Sequence, residues 1–154
     1  MGSGADLDWA NRIGKVLGTF EIETIIRIAS AHKVPLKCYD LIKEYEKEKV
    51  VFITIAGMSN ALSGFTDAQT YCPVIACTPY SEKFSGADLY SSVRMPSGVA
   101  PLTVLSPENA ALAAAKILGL SNPTLRERIM AFQEQKRVEL EEADNKLAND
   151  KPQH

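Results

Sequence analysis

His32 is one of two histidines among 154 residues, the other being His154 at the end of the sequence. It stands in Ser30-Ala31-His32-Lys33, where a hydroxyl, an imidazole and a cation fall within four residues. An imidazole changes protonation near neutral pH, so His32 is a candidate acid–base group; the plain alternative is a histidine capping a helix. Three other polar or Gly-rich runs accompany it. Gly2-Ser3-Gly4-Ala5-Asp6 opens a helical pattern, and the N–H groups and positive end of a helix start suit a phosphate or another anion. Ala56-Gly57-Met58-Ser59-Asn60-Ala61-Leu62-Ser63-Gly64 is rich in small residues that let a ligand approach the backbone, although Ser59 and Asn60 could equally be helix caps. Ser91-Ser92-Val93-Arg94-Met95-Pro96-Ser97-Gly98-Val99 breaks a helix with proline and glycine, and a tight turn is its simplest reading.

Periodicity supplies the elements that must position these runs. Trp9, Ile13, Val16, Leu17 and Phe20 fall on one face of a helix. Thr24 to Ile28 is short and β-branched and predicts a strand. A helix is expected over 35–48, with Pro35 in its first turn, then a strand over 50–55 and a short helix after Asn60. A strand over 74–77, a helix over 87–94 and a strand over 102–105 follow. Ser106-Pro107-Glu108 reads as an N-cap, a first-turn proline and an early acid, opening an Ala-rich helix to Leu118.

Strands that are apolar nearly throughout, alternating with helices, predict an α/β fold: a parallel sheet with helices on both faces, in three layers. Ligands of such sheets sit at the carboxyl ends of strands. Chemistry is therefore expected just after Ile28, Ile55, Cys77 and Leu105. Beyond Asn122-Pro123 a helix is expected from Thr124 to about Asn149, ~40 Å long and longer than so small a domain is wide. Its stripe of Leu125, Ile129, Phe132, Leu140, Ala143 and Leu147 needs more surface than its own domain offers. Residues 1–121 are thus expected to form the catalytic α/β unit, and 122–154 an arm packed on a neighbouring subunit.

Composition narrows the function classes. Apolar residues make up 45% and charged residues 23%, ordinary for a globular domain of this length, which buries ~70% of its unfolded surface. A net charge of −2 argues against a nucleic-acid partner. No apolar run approaches the ~20 residues of a membrane span, and the start lacks a basic-then-apolar signal segment. Cys38, Cys72 and Cys77 form no C-x-x-C pair and fit free thiols in a reducing cytoplasm better than disulfides or zinc ligands. Nothing matches the Gly-x-Ser-x-Gly elbow of a Ser–His hydrolase.

Taken in order, the four runs resemble the family of enzymes that carboxylate aminoimidazole ribonucleotide or rearrange its N-carboxy derivative. Gly2-Ser3 with Asp6, Ser30-Ala31-His32, Ala56-Gly57, Met95-Pro96-x-Gly98-Val99 and Asn109-Ala110-Ala111-Leu112 stand in the family's order and approximate spacing. The resemblance covers nearly the whole chain and implies a flavodoxin-like fold. It also separates two branches. The mutase branch usually has Arg after the histidine and a Gly-Gly-Ala-Ala-His-Leu-Pro-Gly loop, where this sequence has Lys33 and Gly57 to Gly64. Cys77-Thr78-Pro79 and Ser91-Ser92-Val93-Arg94 likewise look like the branch that uses carbon dioxide directly. Ala5 departs from the family's usual second serine. Family members also carry an apolar central strand immediately before Gly-Ser, where this sequence begins. A fragment, an internal start or a rearranged sheet would each account for that, and an open sheet would leave backbone groups unpaired at ~1–3 kcal/mol each.

The resemblance implies a reaction without metal or organic cofactor. Phosphate would sit at Gly2-Ser3 with Ser30 and Lys33, and Asp6 would accept hydrogen bonds from the ribose. The enamine-like ring carbon would attack carbon dioxide, and His32 would then remove the proton left on that carbon. Gly57, Ser59, Asn60 and Leu62 would border the carbon dioxide or nascent carboxylate. The partners implied are aminoimidazole ribonucleotide, carbon dioxide and further copies of the chain in a cytoplasmic homo-octamer. A mutase and a nucleotide-binding module without catalysis are the competing readings.

Overall fold

The computed structural model describes residues 1–79 and 85–149. Helix α1 (Leu7–Thr19) precedes α2 (Pro35–Tyr45), β1 (Phe52–Thr54), α3 (Ala61–Asp67) and β2 (Val74–Ala76). A 3-10 turn at Ala87–Leu89 leads into α4 (Tyr90–Val93), followed by β3 (Leu102–Thr103), α5 (Pro107–Gly119) and α6 (Pro123–Asn149). The strands form one parallel sheet in the order β1-β2-β3, with Ile53 opposite Ile75 and Ile75 opposite Leu102.

Alternation along the strands sorts the side chains into two layers. Ile55, Ile75 and Cys77 pack with Ala10, Ile13 and Leu17 of α1 and with Ala110, Ala111 and Ala114 of α5. The alanines leave α5 little side chain to hold it off the sheet. Phe52, one residue out of phase, meets the other layer, where Leu62 of α3 packs with Cys38 and Ile42 of α2. Burial of each Ile or Leu here contributes about 1.5–3 kcal/mol. The Ser106 hydroxyl accepts from the Asn109 N–H and caps α5, with Pro107 in the first turn, as its sequence predicts.

The expected strand at Thr24–Ile28 is not in the sheet. The segment carries no regular secondary structure, and the space between it and β1 is an apolar cavity of about 280 Å³, bordered by Ile22, Ile26 and Ala29 and by Val51, Ile53 and Ile55. Among the described residues, only Met1 and Gly2 bridge it. The Met1 ammonium donates to the Arg27 carbonyl (2.8 Å), Ala29 N–H to the Met1 carbonyl (3.0 Å) and Gly2 N–H to the Ile55 carbonyl (2.8 Å). A strand needs a neighbour to exchange hydrogen bonds with, and 24–28 has none along that length among the described residues. The sheet of the described residues therefore has no strand at this position.

Helix α6 runs for 27 residues, ~40 Å at 1.5 Å per residue. Its first turns are anchored: Leu125 and Ile129 are buried with Phe20 and Ala115, and Phe132 meets Phe20 edge-on at 5.3 Å. Farther along, Leu140 and Leu147 are 73% and 75% exposed. Residues 150–154 of the expected arm lie outside the described residues. No helix among the described residues is long and apolar enough to cross a membrane.

Candidate active site at the strand carboxyl ends

Hydrogen bonds at the ends of the strands gather the four runs. Gly2 is tied to Ile55, and a Cβ on Gly2 would sit 3.5 Å from that of Ala56, so the two backbones approach closely there. The Ala29–Met1 bond sets Ser30 beside the same run. Asn60 connects the 56–64 loop to Thr78 beyond β2 and to Ser92 in α4. The 95–99 turn is held against α3: the Ala100 N–H donates to the Asp67 carboxylate (2.7 Å), and a Cβ on Gly64 would meet the Met95 sulfur at 3.0 Å.

Individual residues take distinct roles in this frame. Ser3 accepts from the Ala5 N–H (3.0 Å), capping a 3-10 turn that runs into α1, and keeps its hydroxyl proton to donate. Asp6 is half-buried; burial pushes its carboxyl up, opposed by the Ser3 N–H and the Met1 ammonium. The same desolvation pulls the Met1 ammonium down, against the pull of Asp6. Lys33 N–H donates to the carbonyl and hydroxyl of Ser30 (3.2 and 3.3 Å), and Val34 N–H to the same carbonyl (2.9 Å). This tight turn leaves the side chains of His32 and Lys33 exposed. Val34, not His32, occupies the N-cap position of α2, so the capping alternative for the histidine does not apply.

In the third run Gly57 is half-buried and Met58 and Ser59 are exposed, whereas Asn60 and Leu62 are buried. Asn60 is the N-cap of α3, its side-chain oxygen accepting from the Ser63 N–H (3.1 Å). Leu62 packs into the core with Cys38 and Ile42.

Four linked contacts have no counterpart in the sequence pattern. Trp9 donates its indole N–H to the Cys77 sulfur (3.3 Å), and the Cys77 thiol lies 3.7 Å from the Leu105 carbonyl. Burial pushes this thiol up to about 11, with only partial relief from the indole, so it stays protonated and structural. Arg12 lies over the Trp9 ring (4.9 Å) and pairs with Glu108 (2.8 Å). No local pattern signals a pair 96 residues apart. For Thr78 a signal did exist, a polar residue directly after a fully apolar strand.

The sequence model of the family described as AIR carboxylase matches residues 1–139. The chain belongs to the AIR carboxylase family. Within this family it is similar to the phosphoribosylaminoimidazole carboxylase of Archaeoglobus fulgidus, at 59% identity over 96% of this chain and 82% of that protein. The enzyme of the same name from Treponema denticola is 46% identical, over 96% of this chain and 94% of the relative. The crystal structure of Treponema denticola PurE aligns over the same shares with a TM-score of 0.92, which carries the flavodoxin-like α/β fold. The human bifunctional phosphoribosylaminoimidazole carboxylase/phosphoribosylaminoimidazole succinocarboxamide synthetase is 39% identical over 96% of this chain, a stretch that spans 35% of that longer protein.

Proposed function

We propose that this chain is an aminoimidazole ribonucleotide carboxylase of purine synthesis that uses carbon dioxide directly. The observation that carries this reading is the convergence of the Gly2-Ser3 helix start, the Ser30–Lys33 turn and the Gly57–Ser59 loop beyond the carboxyl end of β1. It supplies donors for an anion, an exposed imidazole and a small-residue loop. Lys33 after His32 and the 57–64 sequence support the carbon dioxide branch over the mutase. Arg would offer a rigid two-pronged fork to phosphate, and Lys offers a mobile point charge.

The phosphate sits at the Gly2-Ser3 helix start, with Ser30 and Lys33, and Asp6 accepts from the ribose hydroxyls. The ring carbon attacks carbon dioxide, forming the new carbon–carbon bond while keeping its own proton. His32 takes that proton, and the ring electrons return to aromaticity; in reverse it delivers the proton and carbon dioxide leaves. Backbone N–H groups at Gly57 and Ser59 hold the nascent carboxylate, with Asn60 and Leu62 shaping the loop behind them. The catalyst is read as a cytoplasmic homo-octamer, and its exposed Leu140 and Leu147 support an α6 that packs on a neighbour.

Incubation with aminoimidazole ribonucleotide and bicarbonate, without ATP, tests the reading. The carboxylated ribonucleotide should form. Turnover of the N-carboxy derivative alone would make the chain a mutase, and binding without turnover would make it a nucleotide-binding module.

A further inference from the structure

Met58 is 61% exposed yet has φ 58°, a left-handed conformation that is unfavourable for a residue with a side chain. Something must hold it there. Its carbonyl accepts from the Ser91 hydroxyl (3.2 Å), which shares its proton with the Asp88 carbonyl (2.7 Å). The same hydroxyl accepts the backbone N–H of Asn60 (3.0 Å). Ser91 therefore grips the corner on both sides of Ser59. Behind it lies a buried polar cluster. Asn60, 3% exposed, donates its side-chain amide to Thr78 (3.1 Å) and Ser92 (3.0 Å), whose hydroxyls are 2.8 Å from each other. The Thr103 hydroxyl of β3 donates to the Ser92 carbonyl (3.2 Å).

This cluster joins the segments after β1 and β2 to α4 and β3. A core made only for stability would be filled more simply with apolar side chains, because buried polar groups must all be satisfied. The side chains of Asn60, Thr78 and Ser92 are satisfied by one another, and the strained residue they and Ser91 hold lies in the exposed loop.

We propose that Ser91 and Asn60 are positioning residues that lock the Met58–Ser59 corner, so that its N–H groups stay set for the one-carbon substrate. The proposal rests on the carboxylase reading for its kinetic consequence, though not for its structural one. Neither residue needs to touch the reacting atoms. Ser91 acts through the Met58 carbonyl, and Asn60 through Ser91, Ser92 and Thr78.

The test uses the full chain and three variants, Ser91→Ala, Ser91→Thr and the double variant Ser91→Ala/Met58→Asn. Each is followed by Tm, by KM for bicarbonate-supplied carbon dioxide and for the ribonucleotide, and by hydrogen–deuterium exchange of the peptide spanning 57–63. Ser91→Ala should raise the carbon dioxide KM about tenfold, the scale of one lost hydrogen bond, while the ribonucleotide KM changes less than about twofold. Exchange over 57–63 should speed up in parallel. Ser91→Thr should restore both, because it returns the hydroxyl. Met58→Asn should restore part of the loss, because Asn tolerates the left-handed region better than Met. Equal changes in both KM values that track a fall in Tm, with no rescue, would overturn the proposal. So would unchanged exchange in Ser91→Ala. If the wild-type chain carboxylates nothing, the carboxylase reading fails, and the exchange data with their rescue still decide whether Ser91 holds the corner.

Discussion

His32 and Lys33 are both exposed on a turn whose backbone is fixed by Ser30, so replacing either one probes chemistry at little cost to the fold. His32→Asn should still bind the ribonucleotide and lose about 10²-fold or more in kcat, the scale of a general acid–base group. Near-normal turnover would remove His32 from the mechanism. Lys33→Ala should act on binding, raising the ribonucleotide KM with kcat largely kept; a collapse of kcat at constant KM would contradict the phosphate role. Steady-state kinetics on the two variants reads both outcomes. At this scale the Ser30–Lys33 run stood out because its residue types are clustered, and its hydrogen bonds are local, four residues within one turn. Asn60 was legible as a cap and not as a hub, since its partners Thr78 and Ser92 lie 18 and 32 residues away.

Among elements, helices with strong local grammar appeared where they were expected. Helix α5 has its Ser106 cap and first-turn proline, and α1 has its buried stripe of Ala10, Ile13 and Leu17. The Thr24–Ile28 strand failed for a non-local reason: a strand exists only with a partner, and among the described residues only Met1 and Gly2 bridge this segment to β1. The ion pair that joins α1 to α5 beside their shared apolar core is also non-local. In that Arg12–Glu108 pair, Glu108 is held below its usual 4.5 by its own backbone N–H, then by Arg12 and Ser106. A depressed carboxylate adds stability above its ordinary range, and that stability is lost as pH falls through the lower folded value. Glu108→Gln should therefore lower Tm modestly at pH 7, as an exposed pair would, with wild type and variant converging in acid. A Tm difference that is constant from neutral pH down to pH 3 would contradict this origin.

At the scale of the whole molecule, α6 carries the least resolved expectation. Its first turns are paired with Phe20 and Ala115, whereas Leu140 and Leu147 face solvent in the single chain. Deleting Gln133 to His154 should shrink the assembly or lower its Tm, through loss of apolar area worth about 25 cal/mol per Å². Light scattering on intact and shortened chains decides it; a fully active monomer in the intact protein would refute the arm. The sequence pattern could show that the helix outruns its domain, whereas any partner surface would leave no mark in the helix's own periodicity. The central claim is the direct use of carbon dioxide, and the form of the one-carbon substrate tests it most directly. Aminoimidazole ribonucleotide is mixed with the enzyme and either dissolved ¹³C-labelled carbon dioxide or ¹³C-labelled bicarbonate, without ATP, before the two forms equilibrate. An immediate burst of labelled carboxylated ribonucleotide from carbon dioxide, and a lag from bicarbonate that carbonic anhydrase abolishes, is the predicted result. Product from neither form, with turnover only of the N-carboxy ribonucleotide, would contradict it.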